Sequence, residues 1–389
     1  MEQGTYNNFA IDKVIYGQPA AATVAAEARR LGASRVFLMV SEPLATETPL
    51  AAQFEAALGS LHVATWTDMP QHTPLDAVLR AADKAREVKP DLVVTFGGGS
   101  VTDGGKMLRL ALKHDIRTLD GFEPFIIRVG PDGKREPNDY EGPELAQIAV
   151  PTTLGGGDFN PSVGGTDPRT KLKEIYIQRL LTPKVAILDP AVTLPTPEWL
   201  FLSTGLRALD HAIGTVCSPA AGPRSWLEAM EAIRRLSRCL PVIKAQPENL
   251  DARMDALLAM WLSMERNRFG LPMGASHAIG HVLGGTLDVP HGYCSCVMLP
   301  SVLRWNASVN ADRQALISEA FGKPGQAAAD IVADLIAELG LPQRLADVGI
   351  DERQFDLIAE ASMLDYCVYT NPRKISGEAD IIEILRLAA

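Results

Sequence analysis

Short β-branched runs alternate with amphipathic stretches through the first half of the chain. Val36-Phe37-Leu38-Met39-Val40, Val63-Ala64-Thr65-Trp66 and Leu92-Val93-Val94-Thr95-Phe96 are of strand length and almost wholly apolar, the pattern of strands covered on both faces. Between them the period becomes helical. From Thr73 onward Leu75, Val78, Leu79 and Ala82 fall on one face, with Thr73 as the expected N-cap, Pro74 in the first turn and Pro90 as the stop. Such alternation predicts a parallel sheet covered by helices. Ile148-Ala149-Val150 and Val185-Ala186-Ile187-Leu188 add strands on either side of a Gly-rich polar stretch. Turn signals at Pro131-Asp132-Gly133 and Pro137-Asn138-Asp139 mark 115–146 as an excursion from the sheet rather than core.

Beyond Leu194-Pro195-Thr196-Pro197 the strand patterns stop, and Ala- and Leu-rich helical stretches punctuated by Pro and Gly run to the end. The expected architecture is therefore an α/β N-terminal domain with a parallel sheet over 1–192, followed by an all-α C-terminal domain over 193–389. A length of 389 residues, more than one hydrophobic core usually serves, agrees with two domains. With 47% hydrophobic and 22% charged residues, the whole chain is expected to fold. A net charge of −10 with scattered Lys and Arg argues against nucleic acid as a partner. No apolar run reaches the roughly 18 residues of a membrane span, and Met1 to Phe9 lacks the basic start and apolar stretch of a secretory leader. The expectation is a cytoplasmic protein without a membrane partner. Cys217, Cys239, Cys294, Cys296 and Cys367 are odd in number and form no CxxC pair, so buried thiols are expected rather than a zinc or redox site.

Phe96-Gly97-Gly98-Gly99-Ser100-Val101-Thr102-Asp103 follows a buried strand and opens a helix. Unhindered backbone N–H groups at a helix N-terminus suit a pyrophosphate. The same residues equally suit a tight strand-to-helix turn in which Ser100 caps the helix and Asp103 completes a capping box. Pro151-Thr152-Thr153-Leu154-Gly155-Gly156-Gly157 is a second glycine turn after a strand, and the pair together favours dinucleotide binding, with Thr152 and Thr153 offering hydroxyls. Glu42, just after the strand ending at Val40, can accept hydrogen bonds from ribose hydroxyls and repel a 2′-phosphate; NAD is thus the expected cofactor, with NADP the alternative.

Four of the seven histidines, His211, His277, His281 and His291, fall within the helical half; His62, His72 and His114 are assigned to strand ends or helix surfaces. His277 and His281 share a helix face, and the turn Pro290-His291-Gly292 can fold His291 back over it. Such a cluster suits a metal or an acid/base relay.

Together these segments resemble the iron-containing (group III) alcohol dehydrogenase family. Gly97-Gly98-Gly99-Ser100 with Asp103 and Lys106 matches its first glycine turn, and Pro151-Thr152-Thr153 its second. His277 to His291 reproduces the 14-residue separation of two ligand histidines. The stretch from His281 to His291 and the ending Thr370-Asn371-Pro372-Arg373 look closest to the maleylacetate reductases, which reduce an activated C=C bond with NADH or NADPH and are regarded as metal-independent. Two departures stand out. Arg207 occupies the position, four before His211, where the family has a metal-binding Asp. Asp210 is set aside as a substitute, because adjacent helix positions point about 100° apart. The second glycine turn continues as Gly157-Asp158-Phe159-Asn160 in place of small residues and Ser-Glu.

The resemblance implies nicotinamide in an interdomain cleft and hydride transfer to a carbonyl or conjugated C=C of a small acidic substrate, without a metal. Arg207 would hold the substrate, His277, His281 or His291 would donate the proton, and His211 would complete the catalytic group. The expected assembly is a homodimer. Alternatives are a metal-dependent alcohol dehydrogenase using His211, His277 and His291 on Fe²⁺ or Zn²⁺, a dehydroquinate-synthase-like lyase that uses NAD within its cycle, and a dinucleotide sensor without turnover.

Overall fold

The computed structural model describes residues 10–128, 136, 138–271 and 273–389, with 268 and 269 described by backbone alone. Two compact units are present, one carrying all the strands and ending at Thr196, the other built on Pro197–Ala389.

The strands of the first unit are β1 (Lys13–Tyr16), β2 (Val36–Val40), β3 (His62–Trp66), β4 (Leu92–Gly97), β5 (Ala146–Pro151), β6 (Ser162–Thr166), β7 (Lys173–Ile177) and β8 (Val185–Leu188). Six form a sheet in the order β1-β8-β5-β4-β2-β3, with every neighbouring pair parallel. Its helices are α1 (Ala20–Arg30), α2 (Glu42–Thr46), α3 (Leu50–Leu58), α4 (Leu75–Val88) and α5 (Gly99–Lys113). Separate apolar clusters lie on the two faces: Phe37, Met39 and Val93 pack towards α4 and α5, whereas Val36, Leu38 and Leu92 pack towards α1 and α3. Burial of successive strand residues on both faces is why β2 and β4 read as unbroken apolar runs.

Three expectations change. Thr73 does not cap α4: Pro74 holds the cap position, while Thr73 has φ 54° and donates its hydroxyl to Ser100 O at 3.2 Å. The stretch between β5 and β8 contains a hairpin, β6 antiparallel to β7, that lacks a periodic signature. Residues 115–146 are not wholly an excursion, because Phe122 is buried with its ring 6.1 Å from that of Tyr176. The turn Pro131-Asp132-Gly133 and Pro137 lie outside the described residues.

The second unit holds α6 (Glu198–Cys217), α7 (Pro223–Ala245), α8 (Leu250–Met264), α9 (Ala275–Thr286), α10 (His291–Ala320), α11 (Ala328–Glu338), α12 (Phe355–Ser362) and α13 (Glu378–Ala388). No strand occurs in it among the described residues. Gly292 brings α10 against α6, since a Cβ there would lie 2.7 Å from the carbonyl carbon of Ser203. No helix among the described residues is long and apolar enough to cross a membrane.

Candidate active site

Parallel pairing sets the two glycine turns side by side. Gly97 registers with Pro151, and Thr152 N donates to Gly97 O at 3.0 Å. Helix α5 starts after Gly98, and no side chain caps it. The capping box of Ser100 and Asp103 is therefore absent; Ser100 Oγ instead accepts from His72 N at 3.1 Å. Around Gly99 a Cβ would meet nothing within 4 Å, and at Gly98 it would meet the Thr153 methyl at 3.3 Å. An open backbone at an uncapped helix N-terminus, with Thr153 alongside, fits a pyrophosphate. Ser41, the N-cap of α2, borders Gly97, which puts Glu42, exposed at the first helical position, near the same edge.

Lys106 and Asp158 explain the departure after the second turn. Lys106 is fully buried and donates to Asp103 Oδ1 (3.1 Å), Gly157 O (2.6 Å) and Ser162 O (3.0 Å). Asp158 is buried and accepts the Thr102 hydroxyl at 2.8 Å; burial pushes its carboxyl above the usual range against the pull of Thr102 and Lys106. Both residues pin the second turn onto α5.

In the helical unit the four histidines form a row. Ring centroids lie 5.0 Å apart for His211 and His277, 6.2 Å for His277 and His281, and 6.2 Å for His281 and His291, whose planes differ by 4°. His291, first in α10, also comes within 3.5 Å of the position a Cβ on Gly284 of α9 would take, so the Pro290-His291-Gly292 turn does fold back. The remaining histidines lie elsewhere, with His62 bonded to Thr65 and His114 to Glu141 O. Burial and the nearby Arg207 hold His211 well below the usual imidazole range, and the same two causes act on His277. Both are neutral near pH 7. Among the described residues, His211 Nδ1 and His277 Nε2 are buried without a hydrogen-bond partner.

Arg207 is 4% exposed on α6, and among the described residues its one hydrogen bond runs from NH1 to Ser295 Oγ at 3.3 Å. A surface ion pair is excluded by that burial. Asp210, set aside as a replacement metal ligand, nonetheless belongs to the site. Its carboxylate is buried and faces the row, with Oδ2 accepting from Ser276 Oγ and Ser295 Oγ at 2.8 Å each and lying 3.3 Å from His277 Nδ1. The 100° offset separates Asp210 from His211, yet Asp210 lies one turn from Arg207 and reaches the side of α9 that carries His277. Asp365 is the other residue missed: its Oδ2 lies 2.7 Å from His281 Nδ1. The Asp210-His211 and Ser276-His277 doublets were the only hint of the first, and nothing local marks the second. A cavity of about 30 Å³ beside His277, lined by Asp210, Ser276, Asn306, Thr370 and Asn371, has the volume of one or two waters.

The arrangement can hold an anion on Arg207 and exchange protons along a row of imidazoles, two of which are oriented by carboxylates. Among the described residues no three His, Cys, Asp or Glu side chains converge as a cation site would require.

Residues 12–190 match the family "Iron-containing alcohol dehydrogenase", and residues 201–389 match "Fe-containing alcohol dehydrogenase family, C-terminal". Dehydrogenase FUM7 of Gibberella moniliformis is 32% identical, over 97% of this chain and 96% of that protein. A maleylacetate reductase of Sphingobium indicum is 31% identical, over 97% and 95%. The crystal structure of maleylacetate reductase from Agrobacterium tumefaciens superposes with a TM-score of 0.82 at 27% identity, covering 100% of this chain and 98% of its own. The chain belongs to the iron-containing alcohol dehydrogenase family and is an oxidoreductase of that family.

Proposed function

We propose that this protein is an NAD(H)-dependent reductase that transfers hydride to a carbonyl or conjugated C=C of a small carboxylic acid, in the manner of a maleylacetate reductase. The observation that carries the reading is Arg207, a buried guanidinium that, among the described residues, commits one of its five N–H donors to a hydroxyl and stands among neutral imidazoles. In such low-dielectric surroundings it binds a carboxylate or a developing oxyanion strongly. The glycine turns with Gly97, Gly98, Gly99, Ser100, Asp103, Thr152 and Thr153 hold the dinucleotide, which supplies the hydride, and Glu42 selects NAD(H). His281, part-exposed and oriented by Asp365, is best suited of the row to donate the proton, with His291 stacked on it.

The metal implied by the family meets a donor set that does not suit it. A guanidinium stands where the resemblance puts a carboxylate ligand, and repels a divalent cation beside the imidazoles. No step here uses a metal. The protein is proposed to act in the cytoplasm, as a homodimer. NADH oxidation, followed optically against maleylacetate and other oxo and enoic acids, tests the reading: turnover confined to acids supports it, and turnover of uncharged aldehydes alone refutes it.

A second reading, a metal-dependent alcohol dehydrogenase, is favoured by the unpartnered His211 Nδ1 and His277 Nε2. Stoichiometric Fe or Zn in the purified protein, with activity lost to chelators, would establish it.

A further inference from the structure

Arg207 and Asp210 are three residues apart on α6, a spacing that usually brings opposite charges into direct contact. Here they do not touch as an ion pair among the described residues. The Ser295 hydroxyl of α10 stands between them, accepting from Arg207 NH1 at 3.3 Å and donating to Asp210 Oδ2 at 2.8 Å. Ser295 is fully buried, so its position is set by the packing of α10 on α6. Asp210 Oδ2 is further occupied by the Ser276 hydroxyl and by His277 Nδ1. Three neighbours thus hold the carboxylate back from the guanidinium.

We propose that Asp210 is an internal competitor for Arg207, and that Ser295 is a spacer keeping the guanidinium available to the substrate anion. This rests on Arg207 being the anion site. Asp210 and Ser295 are positioning residues: neither touches substrate, and each acts through Arg207. A carboxylate at one hydroxyl's remove lowers the cost of burying the guanidinium without consuming its donors, which a direct bidentate pair would do. A substrate carboxylate then displaces no existing ion pair when it binds. With the hydroxyl removed, Arg207 and Asp210 close on each other and the substrate must compete. With the charge of Asp210 removed, the substrate meets the full positive charge.

The two changes therefore act in opposite directions, which a merely structural role would not produce. Oxalate is titrated calorimetrically into the enzyme saturated with NADH, for the wild type and for Ser295→Ala, Asp210→Asn and Arg207→Ala. Ser295→Ala is expected to weaken oxalate by about tenfold, and Asp210→Asn to tighten it several-fold, on the scale of one charge-assisted hydrogen bond. NADH affinity and the melting temperature identify variants that have lost the fold, and either of the two substitutions alone is enough to test the spacer. Absence of oxalate binding to the wild type, or unchanged affinity in Arg207→Ala, overturns the anion site and the spacer together. Loss of binding in Arg207→Ala, with Ser295→Ala unchanged or Asp210→Asn unchanged or weaker, overturns the spacer while the anion site stands.

Discussion

His281 Nδ1 lies 2.7 Å from Asp365 Oδ2, a contact between residues 84 apart in sequence. Burial alone would raise Asp365, but the His281 ring and the Cys367 backbone N–H, which donates to its other oxygen at 2.8 Å, outweigh burial and hold the carboxyl below its usual value. A carboxyl depressed in this way contributes stability that is fully present above its unfolded value of about 4 and is lost as pH falls through the lower folded value. Asp365→Asn should therefore be less stable than the wild type at neutral pH, with the difference vanishing in strong acid. Urea midpoints from acid to neutral pH check this; a pH-independent difference contradicts it.

Arg207→Ala should lose transition-state binding of about 2 to 4 kcal/mol, on the order of 100- to 1000-fold in kcat/KM, because the substrate anion is left without its partner in a buried site. The unmutated enzyme should keep its rate in chelator and carry no stoichiometric Fe or Zn. Near-normal turnover in Arg207→Ala, or tightly bound metal in the wild type, sinks the metal-free mechanism.

Gly99→Val separates binding from folding. A Cβ at Gly99 meets nothing within 4 Å, so the fold should tolerate the change at a cost of under about 1 kcal/mol. The side chain would fill the space above the uncapped turn of α5, lowering NADH affinity by about two orders of magnitude. Gly98→Val additionally presses on Thr153, so its loss of affinity should come with a lower melting temperature. Fluorescence titration with NADH decides; unchanged affinity in Gly99→Val removes the cradle assignment.

Glu42 opens α2 beside the glycine turn and is exposed. Its carboxylate should favour NADH over NADPH, and Glu42→Ala should shrink the ratio of their kcat/KM values by about tenfold, through lost ribose hydrogen bonds and relieved repulsion of the 2′-phosphate. An unchanged ratio assigns cofactor preference elsewhere.

What the sequence made legible follows from which contacts are local. The strands at Val36–Val40 and Leu92–Gly97 show through composition because burial on both faces demands apolar residues at every position. The glycine turns show because chain order alone places them at strand ends. Hairpin β6 did not show: Gly164 and Gly165 interrupt any alternation, and a Cβ at Gly165 would lie 2.5 Å from a Leu75 methyl, so a larger residue there needs Leu75 to shift. The histidine row was half visible, since His277 and His281 share one helix. The contact of Asp210 with His277 was not legible because helical-wheel geometry ranks directions on one helix and is silent about a neighbouring helix such as α9. Asp365 and Ser295 reach the row only through tertiary packing.

All five cysteines are buried thiols, and they lie between Cys217 and Cys367, within the helical unit alone. Burial pushes Cys217 and Cys239 up to about 12, so the folded chain holds almost no thiolate at these positions. An alkylating reagent can therefore react readily only with molecules in which that unit has opened. The chain thus carries a built-in chemical reporter of local unfolding, sensitive to the half that bears the histidine row and blind to the half that bears the glycine turns.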